Sequence, residues 1–511
     1  MTAAVTHLWR LLRWGRTLAR HGALQGIERD PLTPPNVRRL CRVARFGANV
    51  PDTVDYAAAL QEIGPAAIKL GQALSTRPDL VGIEAAENLI QLQDSLPPEP
   101  FPAIKAAVER ALEAPLDTLF TEFEEKPVGA ASIAQVHRAI TTEGREVAVK
   151  VLRPGIEEEF ARAIETYEWA AAHVELLGGE VERLRPRMVI AYFKQWVRRE
   201  LDLQREAASA SELKDNMVAE PGFHVPEIDW RRTARRVLTQ EWLDGIKLSE
   251  RDELIAAGQD PKALAAILVR AFLRQAVVDG YFHADLHQGN LFALKDGRVA
   301  AVDFGIMGRI DRQARLWLAE ILYGLITGNY MRVAEIHFEA QYVPSHHDVA
   351  EFATALRAVG EPIRGLPVKE ISIGRMLEGL FAITRDFDMP TQPHLLLLQK
   401  TMVMEEGVAT ALDPDINMWE TAEPFLKDWL RTELGPEAYY ADRIVDTVRA
   451  LKLIPQILRK IDASYPSPGG APPPPPLADV ALIERKSWMA LLAFGLGTAA
   501  AAAALTYWLA G

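Results

Sequence analysis

The chain has 511 residues, of which 49% are hydrophobic and 25% are charged. This length is too great for one compact core, so we expect two or three globular domains. The 69 acidic residues outnumber the 57 basic ones, and the formal net charge of −12 argues against nucleic acid as a partner. The single cysteine, Cys41, excludes a disulfide framework and fits a reducing compartment.

The N-terminal segment, residues 1–48, is basic and amphipathic. Residues 1–50 contain nine arginines and two acids, a local net charge of +7. Helical spacing puts four arginines on one stripe and supplies an apolar side: Arg10, Arg13, Arg16 and Arg20, with Leu8, Trp9, Leu12 and Leu18. Two interpretations are equally open, a helix lying on an anionic membrane surface and an ordinary docking helix. A mitochondrial presequence ranks lower because the segment lacks serine.

The central part of the chain is predicted to contain three regions. Apolar residues at helical spacing indicate a helical extension over residues 49–118. The first strand signal is EVAVKVL (146–152), a long helical pattern covers roughly 156–217, and RVLTQEWL (236–243) is another strand candidate. Strands followed by helices favour an α+β fold, with a small lobe over residues 119–244 and a larger helical lobe over residues 245–462.

Three separated motifs point to phosphoryl-transfer chemistry. VAVK (147–150) supplies a strand lysine, Lys150; HADLHQGN (283–290) supplies Asp285 and Asn290; DFG (303–305) supplies Asp303. A protein-kinase-like site needs these groups in this order, since a lysine contacts ATP phosphates while amide and carboxylate oxygens hold Mg²⁺. LFALKDGRVAAVDFG predicts a hairpin with Asp296-Gly297 at its turn, which would bring Asn290 and Asp303 to one metal site.

The motif HADLHQGN also contains two histidines, His283 and His287, and both are interpreted as structural. His283 is interpreted as a structural brace of the catalytic loop rather than a metal ligand, and His287 as structural rather than catalytic.

After Gly305 the chain soon becomes helical, with no Ala-Pro-Glu element and no long activation segment. A platform for a protein substrate is therefore missing, which favours an ATPase or a kinase acting on a small or lipid-like molecule.

The C-terminal region is predicted to be a membrane anchor. A Pro/Gly-rich linker occupies residues 463–486, and residues 487–510 include 22 uncharged positions (488–509). As a helix these would span ~33 Å, enough for a bilayer core, with aromatic residues near both ends. Arg485 and Lys486 place the main body on the cytoplasmic side. The alternative is a buried alanine-rich core helix.

The sequence resembles the UbiB family of atypical kinase-like proteins, which is associated with ubiquinone (coenzyme Q) biosynthesis and lipid homeostasis. The likeness covers roughly residues 50–310. KLGQ (69–72) resembles the family's lysine–x–glycine–glutamine signature, and ELD (200–202) its Glu-x-Asp element. QREA (204–207) is similar to the segment bearing the helix αC glutamate, and PVGAASIAQVHRA (127–139) to the alanine-rich nucleotide loop.

The resemblance implies a two-lobed protein-kinase-like fold that binds ATP or ADP with Mg²⁺ between its lobes. Lys150 would pair with Glu206 and contact phosphates, Asp285 would lie beside the acceptor, and Asn290 and Asp303 would bind Mg²⁺. The remaining implied positions are the nucleotide loop Val128, Gly129, Ala130, Ala131 and Ser132, the hinge residues Glu241 and Leu243, and the family-specific extension Lys69, Gln72 and Glu200.

Helical geometry bears on the implied acidic roles. On one continuous helix, Glu200 lies about 240° from Glu206, so the two glutamates would serve different lysines, Lys69 and Lys150.

In the nucleotide loop, Ala130 and Ala131 replace glycines, disfavour positive φ and hold the backbone further from a phosphate.

Two functions from different classes follow. The first is a membrane-anchored atypical kinase or ATPase supporting ubiquinone biosynthesis at a bacterial inner membrane, acting on isoprenoid quinone precursors. The second is a nucleotide-binding scaffold that organises the ubiquinone biosynthetic enzymes without turnover. The complete Lys–Asp–Asn–Asp set favours turnover. Direct hydroxylation of the quinone ring is disfavoured, because neither a flavin fingerprint nor a di-iron Glu-x-x-His pair is present. A homodimer is left open.

Overall fold

A computed structural model describes residues 2–25, 35–45, 54–75, 96–175, 186–361, 383, 386–389, 393–416 and 418–433. The chain divides into two compact units. The first contains Met1–Ser209 and Glu227–Trp242, and the second contains Ala210–Pro226 and the described residues from Leu243 onward. Among the described helices, none has the length and apolar character needed to cross a bilayer. The predicted linker (463–486) and transmembrane helix (487–510) lie outside the described residues.

The helices are numbered in chain order. In the first part of the chain they are α1 (Thr2–Arg20), α2 (Pro35–Arg45), α3 (Tyr56–Ile63), α4 (Pro65–Ser75), α5 (Phe101–Leu112), α6 (Leu116–Leu119), α7 (Ile156–Glu175), α8 (Pro186–Glu200) and α9 (Leu203–Asn216). They continue with α10 (Arg251–Ala256), α11 (Pro261–Leu273), α12 (Arg312–Thr327), α13 (Tyr330–Glu339), α14 (Val349–Gly360), α15 (Pro393–Leu412) and α16 (Met418–Glu433).

The strands fall into three sheets. They are β1 (Phe120–Phe123), β2 (Gly129–Ala130), β3 (Ala134–Thr141), β4 (Glu146–Leu152), β5 (Phe223–His224), β6 (Val237–Glu241), β7 (Gly245–Lys247), β8 (Tyr281–His283), β9 (Leu291–Leu294), β10 (Val299–Ala301) and β11 (Met307–Arg309). The first unit holds the sheet β1-β3-β4-β6, with β2 paired to β3. The second holds the sheets β5-β10-β9-β7 and β11-β8.

The core of the first unit lies between its sheet and α5. Strand β4 is hydrogen-bonded on both sides, to β3 and to β6. Val147, Val149 and Val151 of β4 pack in one buried cluster with Ile104 and Val108 of α5. Because β-branched residues fit a pleated buried surface, this valine-rich stretch forms the centre of the sheet. The predicted strands at 146–152 and 236–243 are both present, the latter shortened to β6.

Three strands precede the first one that the sequence predicted. Strand β3 was not recognised because polar side chains occupy its buried positions. Gln135 and His137 are fully buried. Their side-chain nitrogens Nε2 lie 2.7 Å apart, and Nδ1 of His137 lies 2.7 Å from the carbonyl oxygen of Glu124. These hydrogen bonds satisfy the buried polar groups and hide the alternation of apolar and polar residues on which strand prediction depends.

The helical pattern predicted over residues 156–217 is present, but the expectation that residues 195–208 form one continuous helix is wrong. The described residues form α7, α8 and α9, and the chain leaves helical conformation between Glu200 and Leu203. At the interruption, the backbone N–H of Leu203 donates to the carbonyl of Arg235, a residue distant in the chain, at 2.9 Å rather than to the preceding turn. Glu200 and Glu206 therefore belong to different helices.

The basic N-terminal helix α1 packs onto other helices of the first unit. Leu8, Leu11 and Leu18 are buried, and Arg10 donates hydrogen bonds of 2.6 Å to Thr166 Oγ1 and to the carbonyl of Arg162 on α7. The predicted apolar side is thus divided, since Trp9 is 69% exposed while Leu8 and Leu18 face the core. This arrangement is that of a docking helix, and lipid contact through its outer face stays a prediction.

The second unit contains the predicted hairpin. Strands β9 and β10 pair antiparallel, with Leu291 opposite Ala301. At the other end, the N–H of Leu294 donates to the carbonyl of Arg298 at 2.8 Å, and Gly297 takes a φ of 84°. Glycine is suited to this left-handed position, as expected of an Asp-Gly turn. The hairpin predicted from LFALKDGRVAAVDFG is confirmed.

A buried acid in the helical part of this unit makes stability depend on pH. Glu405 of α15 is fully buried, and neither carboxylate oxygen has a hydrogen-bond partner among the described residues. Burial raises the pKa of Glu405 well above its usual value of 4.5. The folded pKa exceeds the unfolded one, so this stabilising contribution is complete below the unfolded pKa and is lost as pH rises through the folded pKa.

Glu405→Gln should remove the loss of folding stability that the wild type shows as the pH rises. We expect the variant and the wild type to melt at similar temperatures near pH 4.5 and to diverge as the pH rises. The variant should be at least ~2 °C more stable near pH 8, since each pKa unit is worth about 1.4 kcal/mol. Differential scanning fluorimetry across this range measures the divergence, with exposed Glu253→Gln as the control. Parallel melting curves for Glu405→Gln and wild type would contradict the assignment.

Candidate active site

Lys150 lies on the central strand of the first unit and forms an ion pair with Glu206. Its Nζ atom donates to the two carboxylate oxygens of Glu206 at 2.8 and 3.0 Å. Glu206 is buried and belongs to the first turn of α9, where the helix dipole favours a negative charge. A lysine held in this way presents a fixed ammonium group, as phosphate binding requires. The predicted pairing of these two side chains is confirmed.

A second ion pair joins the helical extension to α8. Nζ of Lys69 on α4 lies 3.3 Å from Oε2 of Glu200, and the two side chains are only 9% and 10% exposed. The ammonium also lies 5.8 Å from the ring centroid of Trp196. Gln72 follows Lys69 by one turn of α4 and is half-buried. The two glutamates pair with different lysines, as expected: Glu200 with Lys69, and Glu206 with Lys150. The break between α8 and α9, rather than rotation around one helix, separates them.

The alanine-rich loop is a tight hairpin between β2 and β3. The N–H of Val128 donates to the carbonyl of Val136, and the N–H of Ala131 to that of Ala134, each at 2.8 Å. Gly129 does not adopt positive φ, and a Cβ built on it meets nothing within 4 Å. Val128 is exposed, whereas Ser132 is fully buried. The loop therefore needs no glycine-only conformation, which explains why alanines are tolerated where phosphate loops usually carry glycines.

Arg153 holds this loop in place, and sequence reasoning missed it. Its guanidinium is buried and donates to the carbonyl of Ala131 at 2.9 Å. It also donates to the carboxylate of Glu99 and the carbonyl of Pro97, both at 2.9 Å. The planar fork of arginine can serve several acceptors at once. Arg153 thus ties the segment before α5 to the alanine-rich hairpin.

Arg153→Lys should loosen the hairpin, because an ammonium cannot reproduce the forked donation to Ala131 and Glu99. Losing charge-assisted hydrogen bonds worth about 1.5–3 kcal/mol each should lower the melting temperature by several degrees. Hydrogen exchange at residues 131–134 should accelerate selectively. Exposed Arg110→Lys is the matched control. Unchanged exchange in the hairpin of Arg153→Lys would show that Arg153 does not anchor it.

The predicted hinge lies at the end of β6. The N–H of Glu241 donates to the carbonyl of Glu227 at 2.8 Å. An adenine contact at Glu241 would therefore use its carbonyl oxygen. The division between the two units falls between Trp242 and Leu243, so the two predicted hinge residues belong to different units.

A buried histidine braces the predicted catalytic loop of the second unit. His283 is fully buried, and its Nδ1 accepts the backbone N–H of Asp285 at 3.1 Å. The backbone N–H of His283 donates at 3.0 Å to Oε1 of Gln275, a residue of the π-helical turn Arg274–Asp279. Burial lowers the pKa of His283, which keeps the ring neutral and able to accept. The structural interpretation of His283 is supported. His287 is also structural, since its Nδ1 accepts the N–H of Gly289 at 3.1 Å.

The hairpin brings Asn290 and Asp303 to the same end of their strands. The N–H of Val302 donates to the carbonyl of Asn290 at 2.9 Å, which makes Asp303 the next residue along. The Nδ2 atom of Asn290 donates to the carbonyl of Asp285 at 3.2 Å, so the oxygen of the amide is the atom that can act as a ligand. Amide and carboxylate oxygens suit Mg²⁺. These residues fit the predicted ion.

Asp303 has an unusual backbone conformation. Its φ is 65°, in the left-handed region that few residues other than glycine adopt. Aspartate tolerates this region better than most side chains do. Conformations of this kind cost free energy and cluster at functional sites. The backbone therefore adds independent support to the assignment of Asp303 as a site residue.

The ammonium group of a lysine from the helical part of the second unit lies near Asp285, the predicted catalytic aspartate. Nζ of Lys400 on α15 lies 3.7 Å from Oδ1 of Asp285, and both side chains are partly exposed. Lys400 lies far along the chain from the catalytic loop, in a helix without a local motif. Sequence reasoning therefore could not find it.

An antiparallel sheet with a strand lysine paired to a helix glutamate, together with an Asp–Asn loop and a DFG turn, defines the class of protein-kinase-like α+β folds. Residues 91–337 match the model of the ABC1 atypical kinase-like domain, and residues 356–417 match that of the UbiB helical domain. The chain belongs to the UbiB family of atypical kinase-like proteins.

Individual relatives agree with this assignment. The probable protein kinase UbiB of Marinobacter nauticus is 42% identical over 382 residues, which cover 74% of this chain and 70% of that protein. The solved structure of the Rv3197–erythromycin complex from Mycobacterium tuberculosis is 26% identical, with a TM-score of 0.50. The likeness covers 69% of this chain and 90% of that one.

Proposed function

We propose that the protein is an ATP-dependent enzyme of the UbiB type that supports ubiquinone biosynthesis. Lys150, held in position by its ion pair with Glu206, binds the phosphates of ATP. Asn290 and Asp303 hold Mg²⁺, and Asp285 orients the acceptor. The observation that carries the proposal is the 2.8 Å ion pair between Lys150 and Glu206, the arrangement that kinase-like phosphate binding requires. When bound, Mg²⁺ would supply neutralising charge for the phosphate oxygens.

The acceptor in this proposal is small or lipid-like, or is water. From the DFG turn the chain passes through the short strand β11 and begins α12 at Arg312. This leaves no room for the long segment on which protein kinases dock a peptide. Isoprenoid quinone precursors are the proposed substrates, and a bacterial inner membrane is the proposed location. The predicted anchor over residues 487–510 would hold the protein there.

Quinone content in a strain lacking the gene tests this proposal. We expect the wild-type chain to restore ubiquinone, and Lys150→Met and Asp303→Asn to fail at equal expression. Lys295→Met, a change of an exposed lysine in the β9–β10 turn, is the control and should restore it. Restoration by Lys150→Met and Asp303→Asn would favour the scaffold function, in which no turnover is needed.

Lys400 should contribute to turnover through Asp285. Lys400→Met should lower kcat for ATP hydrolysis about 10-fold, because a cation 3.7 Å from a partly exposed carboxylate contributes less than a fully enclosed donor would. The dissociation constant for ATP should not change, and Lys400→Arg should retain most of the rate. Exposed Lys427→Met on α16 is the matched control. A weakened ATP affinity with unchanged kcat would place Lys400 in nucleotide binding instead.

A further inference from the structure

A cluster of two histidines and one aspartate lies in the helical part of the second unit, apart from the residues assigned above. His346 and His347 belong to the loop between α13 and α14, and Asp388 to the short described segment 386–389. One ligand atom from each of these three residues lies within 4.8 Å of the other two. Among the described residues, these three form one group of histidine and acidic side chains whose ligand atoms are close enough to hold a metal ion.

The two distances from the carboxylate to the histidine nitrogens are close to those expected around a tetrahedral ion. Oδ2 of Asp388 lies 3.7 Å from Nε2 of His346 and 3.4 Å from Nε2 of His347. Zinc–ligand bonds of about 2.0–2.2 Å at tetrahedral angles place neighbouring ligand atoms ~3.4 Å apart. The two imidazole rings lie side by side, with centroids 4.1 Å apart and planes 36° apart. The Nε2 atoms of both rings therefore lie within 3.7 Å of the same carboxylate oxygen.

Hydrogen bonding does not explain the cluster. Nε2 of His347 is buried and has no hydrogen-bond partner among the described residues, although the carboxylate of Asp388 is close. A simple histidine–aspartate pair would turn the N–H towards the oxygen and shorten the contact. A buried polar nitrogen without a partner costs free energy that a ligand would recover. The nitrogen lone pair of a neutral imidazole is suited to a metal ion.

The surroundings hold the ligands in position. The ring of His347 packs 5.2 Å from that of Phe387, the residue before Asp388. Phe387 also lies 4.9 Å from Phe352 of α14 in the buried cluster of this unit. On the other side, Asp348 caps α14 by accepting the N–H of Glu351 at 2.9 Å, which fixes the chain directly after the histidines. Both parts of the cluster are thus attached to packed structure.

We propose that His346, His347 and Asp388 bind one divalent transition-metal ion of the zinc type, with a fourth position open to water. Two imidazoles and a carboxylate suit zinc and not Mg²⁺, which prefers oxygen ligands. The ion would link the loop before α14 to the segment 386–389 and so stabilise this unit. The proposal does not depend on the proposed function, because none of the three residues belongs to the nucleotide set.

Zinc titration of the purified full-length protein, stripped of metal by a chelator, tests the proposal. With a chromophoric zinc indicator as competitor, we expect one tightly bound equivalent. His346→Ala, His347→Ala and Asp388→Asn should each weaken binding at least ~10-fold, whereas His173→Ala should bind as the wild type does. Excess Mg²⁺ with ATP should not displace the zinc, and Asp303→Asn should retain it.

Thermal shift distinguishes lost binding from lost folding. Zinc should raise the melting temperature of the wild type and His173→Ala, but not of the three ligand variants. Co²⁺ in place of zinc should give the intense visible absorption of a four-coordinate site. Equal zinc affinity in wild type and all three ligand variants would overturn the proposal, because the bound zinc would then be adventitious. A six-coordinate Co²⁺ spectrum in the wild type would overturn the tetrahedral geometry.

Discussion

Asp303→Asn should abolish Mg²⁺-dependent ATP hydrolysis while leaving the fold intact. Asparagine has the shape of aspartate and tolerates the left-handed φ of 65° at this position, so the backbone of the DFG turn should not change. The variant loses one negative charge from the predicted metal ligands, Asn290 and Asp303. Removing a group that stabilises the reacting charge costs about 10²–10³ in kcat, and we expect a loss of at least that size.

The measurement is phosphate release by the purified full chain at saturating ATP, with melting temperature as the check on folding. Asp296→Asn is the matched control because Asp296 lies in the turn at the opposite end of the same hairpin and pairs only with Arg298 in the contacts seen there. It should hydrolyse ATP at the wild-type rate. If Asp303→Asn and Asp296→Asn proved equally active, Asp303 would not be a ligand of the ion.

Breaking the buried pair between Lys69 and Glu200 should have the second large effect, on stability. Lys69→Met leaves the carboxylate of Glu200 buried without its partner, and the side chains are only about a tenth exposed. Removing one member of a buried ion pair typically costs about 3–5 kcal/mol. The first unit should therefore unfold at a markedly lower temperature or denaturant concentration.

A double variant separates the pair from its surroundings. Lys69→Met combined with Glu200→Leu should recover most of the lost stability, because it removes both charges together. Lys194→Met is the control, since Lys194 forms a 2.7 Å pair with Glu168 that is more than a third exposed and should contribute about 1 kcal/mol or less. Equal losses in Lys69→Met and in the double variant would mean that the pair itself contributes nothing.

Local patterns predicted the parts of the fold in which sequence neighbours make the contacts. Strand β4 and the β9–β10 hairpin were predicted because valine alternation and an Asp-Gly turn are local signals. The hairpin brings Asn290 and Asp303 to the same end of their strands, so the placement of these two candidate ligands also followed from the sequence. The partners of Lys150 and Lys69 depended on the family resemblance, because each lies on a distant element.

Other features could not be found from the sequence for physical reasons. The break between α8 and α9 depends on a hydrogen bond from Leu203 to Arg235, more than thirty positions away. Strand β3 carries buried Gln135 and His137, whose mutual hydrogen bonding cannot be seen in a hydropathy pattern. Arg153 and Lys400 lie in ordinary stretches, and only the folded chain shows that they contact the alanine-rich hairpin and Asp285.

The conformation of the alanine-rich hairpin differs from the one that we expected. We expected Ala130 and Ala131 to act by disfavouring positive φ. The hairpin uses no positive φ from Gly129 to Ser132, and the N–H of Ala131 is already bonded to Ala134. The backbone donors that a glycine-rich loop would offer to phosphate are thus partly engaged within the hairpin. Altered phosphate binding remains the prediction, with hydrogen bonding rather than φ as its cause.

Phosphate release by the wild-type chain in lipid, measured alongside ATP binding in the same preparation, tests the proposed enzyme most directly. We predict ATP binding accompanied by slow, Mg²⁺-dependent release that stops when the metal is chelated. Tight ATP binding with neither phosphate release nor transfer, in the presence of quinone-precursor analogues, would contradict turnover and leave a nucleotide-binding scaffold.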